Sequence, residues 1–267
     1  MKRYAMQCLS LLSHAPKRLF AVLLLTATVG SAAVVSAAEL PTLKVASDPT
    51  SQPFAFMDTK TKQMDGFDIE LMREVGKLAG FKVEVLPLDF SSIIPALQSR
   101  SVDAAASSIT ITEPRRKVVD FSDGYYDSGL QILVVNANTS ITKLDDLKGK
   151  RVGALTGATG YTYTQKELGS EVTLVPYPSH AAAALALNAG SVDAVVDDQS
   201  VLRHYESNGG AGKAKIVGPL YNGEKFGLGF VKGSPWVEPT NKALATLRAN
   251  GTFAQLYTKW FGAPAAQ

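Results

Sequence analysis

From residue 43 onward, short apolar runs alternate with longer stretches whose apolar positions return to one helical face. Residues 43–46 read as a strand, followed by a polar turn over 47–53 and a hairpin made of 54–56 with a return at 61–64. Ile69, Leu71, Met72, Val75 and Leu78 share one face of a helix over 68–78, which Gly80 ends. A strand over 83–86 and a helix over 92–98 come next. Pro114 then opens a short helix at the first-turn position proline prefers. The run 130–135, apolar except for Gln131, predicts a continuous strand. Beyond it the pattern gives a helix near 143–147, a strand over 151–154, a helix over 161–168, a strand over 173–175 and helices over 181–189 and 200–207. A strand over 226–231 and helices over 235–250 and 253–260 close the chain. Such alternation predicts an α/β protein with parallel sheets.

The tetrapeptide Ser-Val-Asp-Ala occurs twice, at 101–104 and 191–194, each time between a helical stretch and a short apolar run. The first run ends at Ser107 and Ser108, the second at Asp197 and Asp198. Two α-to-β units therefore place polar pairs at the carboxyl ends of strands, where open α/β sheets bind ligands. One unit in each of two lobes, with the pairs facing across a gap, describes a protein that closes on a small polar molecule. Asp103 and Asp193 within the repeats read as turn or cap residues without a ligand role. Turn-rich segments at 122–127 and 219–224 precede strands at 128–135 and 225–231, so the chain is expected to cross twice. Lobe 1 would then comprise 39–127 and 225–267, and lobe 2 would comprise 128–224. The Gly- and Asn-rich stretch 207–212 reads as a surface loop within lobe 2.

The amino terminus stands apart. Lys2, Arg3, Lys17 and Arg18 precede an apolar run over 19–29 and a small-residue stretch ending at Ala37 and Ala38, the pattern of a secretory signal peptide over 1–38. Ser36 and Ala38 favour cleavage after Ala38, with Ala37 the other candidate. Removal leaves 229 of the 267 residues and 23 of the 27 Lys plus Arg against 24 Asp plus Glu, a net charge of −1. The basicity of the whole chain is thus a targeting feature and argues for neither nucleic acid nor anionic lipid as a partner. Cys8, the only cysteine, lies in the leader, which leaves the mature protein without disulfide or thiolate chemistry. No second apolar segment approaches the ~18 residues that span a bilayer, so a soluble product in the periplasm is expected.

Several spaced motifs carry a family resemblance over nearly the whole mature chain. Asp120-Phe121-Ser122-Asp123-Gly124-Tyr125-Tyr126, the preceding stretch from Ile109 to Arg115, Gly66-Phe67-Asp68, the ending from Leu247 to Thr252 and Trp260-Phe261-Gly262 stand in order. Together they resemble the polar amino acid-binding proteins of ABC importers, the bacterial extracellular solute-binding proteins of family 3, which include glutamine-, histidine- and lysine/arginine/ornithine-binding proteins. The resemblance implies a type II periplasmic-binding-protein fold, α/β in class, with two lobes that are each a mostly parallel sheet flanked by helices. Two hinge crossings would join them. It further implies closure on one amino acid, delivery to a membrane permease, no cofactor, no metal and a monomer.

By matched motif, Arg115 corresponds to the arginine that grips the ligand α-carboxylate, a task suited to a planar guanidinium fork. Thr110 and the backbone around Ser108 would add hydrogen bonds to the same carboxylate, with Ser107 and Ser108 both counted among the ligand-binding residues. Asp198 matches the carboxylate that receives the α-ammonium, although Asp is also a preferred helix cap before 199–205. Thr159 sits where the family uses a helix amino end against the carboxylate. Phe90 matches an aromatic wall, with ordinary core packing as its other reading. The chain departs from its relatives at Ser51, where many have an aromatic residue, at Leu155, where the glutamine-binding protein has a lysine, and at Asp197, where it has a histidine.

Asp48, Asp197 and Asp198 give the cleft three carboxylates to one arginine, which favours a cationic amino acid. If Asp197 instead points away, as neighbouring strand residues do, a neutral ligand such as glutamine or cystine fits. A different class stays open too, since some relatives are periplasmic cyclohexadienyl dehydratases. The mature chain has only His180 and His204 as histidines, both in expected lobe 2 helices, and no recognisable catalytic set.

Overall fold

The structure, a computed structural model, describes residues 39–262. The leader predicted over 1–38 lies outside the described residues. The chain first lays down β1 (Thr42–Ser47), β2 (Thr50–Ser51), β3 (Ala55–Met57), β4 (Met64–Asp65), α1 (Phe67–Ala79), β5 (Lys82–Pro87), α2 (Phe90–Gln98), β6 (Ala104–Ala105), α3 (Glu113–Arg116) and β7 (Val119–Phe121). It then passes into β8 (Tyr126–Val135), β9 (Arg151–Leu155), α4 (Thr159–Leu168), β10 (Thr173–Tyr177), α5 (His180–Asn188), β11 (Ala194–Asp198), α6 (Gln199–Ser207) and β12 (Ala214–Phe226). It returns through β13 (Gly229–Val231) to α7 (Val237–Ala249) and α8 (Thr252–Phe261). Among these described elements no helix is long and apolar enough to cross a membrane.

Two five-stranded sheets result, one per lobe, in the orders β5-β1-β6-β13-β7 and β10-β9-β11-β8-β12. The two orders correspond place by place, and the strands that follow the repeated tetrapeptide, β6 and β11, hold the centre of each. The expected parallel character applies to half of each sheet: β1 is parallel to β5 and β6, and β9 to β10 and β11. The other half is antiparallel, because β13 and β8 are the strands by which the chain arrives from the opposite lobe. They enter their sheets from the interface end and so run against their neighbours.

The repeat aspartates do the same work in both lobes. Asp103 accepts the Lys44 N–H at 2.8 Å and Asp193 accepts the Arg151 N–H at 2.8 Å, which ties the turn before the central strand to the start of its neighbour.

Apolar runs became strands wherever both sheet faces are covered. In lobe 2, Ile132, Val134, Val152 and Val196 pack on one face while Leu133, Leu187, Val195 and Leu202 pack on the other, which is why 132–135 is apolar without alternation. In lobe 1, Phe67, Leu71 and Met72 of α1 bury against Phe226, Phe230 and Leu244. Each such side chain contributes roughly 1.5–3 kcal/mol through burial, and α7 and α8 thereby fasten the carboxyl end of the chain to lobe 1.

Three expectations are corrected. The strand expected over 226–231 is two elements, the end of β12 and the separate β13. Residues 214–225, which carry Gly218, Pro219, Asn222 and Gly223, form most of a 13-residue strand; its register against β8 shifts twice, between Val217 and Tyr221 and between Tyr221 and Glu224. The stretch 143–147 closes as one turn of 3-10 helix, Leu144–Leu147, and β7 was not anticipated.

Candidate functional site

The loop after β1 carries Asp48, which is almost wholly buried. Its Oδ1 accepts the Thr50 N–H at 2.7 Å and the Thr50 hydroxyl at 2.6 Å, and its Oδ2 accepts the Phe90 N–H at 2.8 Å. Asp48 therefore stabilises the free N–H at the start of α2 and fixes Phe90. Its own N–H donates to Ser107 Oγ at 2.9 Å. Every one of these partners is neutral, so Asp48 brings a charge into the cleft that they solvate without cancelling.

Ser108, next in line, holds a left-handed φ of 44°, and its N–H donates to the Asp68 carboxylate. Asp68 lies in the first turn of α1, where burial raises its pKa to about 7 against the opposing pull of the Ser108 N–H. Gly66 precedes it at φ 128°, with a Cβ there falling 2.3 Å from the Phe54 carbonyl oxygen. The Gly66-Phe67-Asp68 motif thus braces the Ser108 loop from behind.

Arg115 projects from α3, which Thr112 caps by accepting the Arg115 N–H at 3.4 Å. The half-buried guanidinium donates from Nη1 to the Thr110 carbonyl at 2.8 Å and from Nη2 across the cleft to the Gly157 carbonyl at 3.0 Å. It stands 5.5 Å from the centre of the Phe90 ring. These bonds use two of its five N–H groups, leaving a fork for an anion. Burial lowers its pKa while Asp198 and Glu224 pull the other way.

Lobe 2 meets this surface through α4. Thr159 is its first residue, and the Thr159 and Thr110 hydroxyls are 3.3 Å apart. Gly160 lies so close to β11 that a Cβ would fall 2.3 Å from the Val196 carbonyl oxygen. The absence of a side chain there lets the free N–H groups of the helix start reach the cleft. Leu155 and Ala158 pack into one cluster with Phe90 and Ile93, so apolar contact joins the lobes beside the polar pair.

At the end of β11 the two aspartates separate. Asp198 precedes α6 but makes no capping bond to it; instead its Oδ1 accepts the Ser128 hydroxyl at 2.8 Å. Burial, with the neighbouring Asp197 charge adding to it, raises its pKa to about 7. Asp197 turns the other way. Its Oδ1 accepts the Asp198 N–H at 2.9 Å and its Oδ2 lies 2.5 Å from Nδ1 of His180, the first residue of α5. The opposite ring nitrogen of His180 is 3.1 Å from the Ser51 hydroxyl in lobe 1. Burial lowers the His180 pKa, but the Asp197 charge and hydrogen bond outweigh it, and with Asp48 and Asp198 they raise it to about 9.

Arg115, Thr110, Phe90, Leu155, Thr159 and Asp198 therefore converge between the lobes, while Ser107 and Ser108 hold the loop that shapes the floor. Asp197 does not stand as a free cleft carboxylate: His180 supplies a second cation beside Arg115, and Glu224, on the Arg115 side, joins the three aspartates, so the count becomes four carboxylates to two cations. Sequence reasoning missed His180. Only the fold brings residue 180 to residues 51 and 197, and the serine in place of an aromatic residue at position 51 was the one available hint that something else fills that corner.

Comparison with known proteins gives a consistent result. The bacterial extracellular solute-binding proteins, family 3, match over residues 43–263. The L-arginine-binding protein of Pseudomonas aeruginosa is 34% identical over 233 residues, 84% of this chain and 89% of that protein. The lysine/arginine/ornithine-binding periplasmic protein of Escherichia coli is 32% identical over 250 residues, covering 90% and 96%. Among solved structures, an ancestral arginine-binding protein bound to arginine superposes with a TM-score of 0.80 at 40% identity, covering 84% of this chain and all of that one.

Proposed function

Because the chain belongs to the bacterial extracellular solute-binding proteins, family 3, we propose that it captures a cationic amino acid in the periplasm and delivers it to an ABC transporter permease. In this reading the ligand carboxylate takes the free face of the Arg115 fork, the Thr110 hydroxyl and the helix start at Thr159. Its ammonium meets Asp198. Residues 39–127 and the described part of 225–267 form one lobe and 128–224 the other, and they hinge on the paired crossing strands β8 and β12 to enclose the molecule.

One observation carries the choice of a cationic side chain. Arg115 and Asp198 are matched by the two ends of the ligand, Asp197 is paired with His180, and Glu224 lies on the Arg115 side of the cleft, so Asp48 is the carboxylate without an ion pair on the His180 side. It is 1% exposed and bonded only to neutral donors. A buried charge left without a counter-charge is costly, and a guanidinium or ammonium at the end of the ligand relieves it. Phe90, held by the same carboxylate, offers its face to the alkyl stem.

Calorimetric titration of the mature protein with arginine, lysine, histidine, glutamine and cystine at neutral pH tests this. Arginine or lysine should bind at least tenfold tighter than glutamine, about 1.4 kcal/mol. Equal or tighter binding of glutamine or cystine would overturn the assignment of Asp48. Prephenate and arogenate incubated with the protein should be recovered unchanged, as befits a binding protein.

A further inference from the structure

We propose that His180 is a specificity-determining residue of this site: its ring spans the cleft from Asp197 to Ser51 and places one positive charge at the side-chain end of the pocket. The inference rests on the cationic amino acid reading above and adds to it the residue that limits how strongly cations are preferred.

The geometry is that of a cross-cleft strut. The His180 side chain is 9% exposed and that of Asp197 2%, so their ion pair is formed out of water, where charge interactions are strong. One ring nitrogen belongs to the lobe 2 contact and the other to the lobe 1 contact. The groups that face the ring come from every element around it. Asp197 and Asp198 lie on β11, Asp48 on the β1–β2 loop, and His204 and Tyr205 of α6 border a cavity of about 150 Å³ that His180 and Asp197 also line. Apart from these groups that cavity is walled by Thr50, Ala184, Val201 and Leu202 among other uncharged residues, and burial lowers the His204 pKa, so no second cation among the lining residues supports Asp197 from behind.

The consequence follows from charge counting. With the imidazolium in place, Asp197 is paired, and Asp48, which shares the field of the imidazolium, is the carboxylate without an ion pair that the ligand side chain meets. If His180 is made neutral, Asp197 becomes a second anion near the same end. A cationic ligand then gains while a neutral one does not. Ser51, buried and small, is the lobe 1 partner whose hydroxyl meets the ring at 3.1 Å.

The test is the ratio of arginine to glutamine affinity, which cancels effects common to the α-carboxylate and α-ammonium. In His180→Gln, whose amide keeps both hydrogen-bonding directions, the ratio at pH 7 should rise about tenfold over the wild type. A ratio within twofold of the wild type overturns the proposal. Should this variant fail to fold, the wild type itself answers: the ratio should climb between pH 7 and 10 as the imidazolium loses its proton, and a flat ratio overturns the proposal equally. Asp198→Asn separates this from failure of the site. Loss of all amino acid binding in that variant upholds the site, so that a flat ratio counts against His180 alone; retained wild-type binding there would sink the site assignment itself.

Discussion

Arg115 is the residue on which the binding reading depends. Its guanidinium already spends two N–H groups on the carbonyls of Thr110 and Gly157, so the remaining donors are aimed rather than free to wander. Arg115→Ala should abolish binding of every amino acid in a calorimetric titration. Arg115→Lys should lose at least tenfold, because a point charge cannot hold both carbonyls and a bidentate carboxylate; affinity at the wild-type level in either variant would refute the pocket. At this scale the sequence was informative where chemistry is carried by a contiguous motif. Thr110 and Arg115, five positions apart, remain together in space because a capped turn joins them. His180 and Ser51 are 129 positions apart, and no periodicity or local pattern encodes such a meeting. Asp197 could be read only in part, since its direction is decided by which partner the opposite lobe and α5 bring to it.

Elements set the accuracy with which those side chains are held. The start of α4 is positioned by its approach to β11 at Gly160, and a methyl group there would collide with backbone, not with a side chain that can turn aside. Gly160→Ala should therefore push α4 outward, lowering stability by roughly 1–3 kcal/mol in a denaturant titration and weakening all ligands alike, since Thr159 moves with the helix. Unchanged affinity would mean that the helix start takes no part in binding. Helices with a clear apolar face, such as α1, and strands buried on both faces, such as β8, were legible because one interaction dominates each. Strand β12 was not. Its Gly218 and Asn222 hold left-handed φ values of 80° and 47°, which locally read as turns, and only the long partner β8 draws the segment into one strand across two register shifts. The tertiary partner overrode local preference.

For the molecule as a whole, the lobes are fastened by Arg115 to Gly157, Thr110 to Thr159, His180 to Ser51 and the packing of Phe90 on Leu155. Two of the groups around this interface titrate, and both do so in a direction that couples closure to pH. The Asp198 pKa is raised to about 7, so the stability it contributes is complete below the ordinary carboxylate value and is lost as pH rises toward 7. The His180 pKa is raised to about 9, so its contribution is complete below about 6.5 and is lost as pH rises through 9. Without ligand, the unfolding free energy should accordingly decline from weakly acid pH to pH 9. A neutral amino acid should restore the Asp198 share, because its ammonium compensates the ionised carboxylate, but not the His180 share. Denaturant titrations across this range, with and without saturating glutamine, should therefore diverge between pH 4 and 7 and then fall together toward pH 9, whereas saturating arginine should also offset part of the upper decline. His180→Gln should remove the upper decline and leave the lower one. A variant that still loses stability between pH 7 and 9 would show that the strut between Asp197 and Ser51 does not hold the lobes.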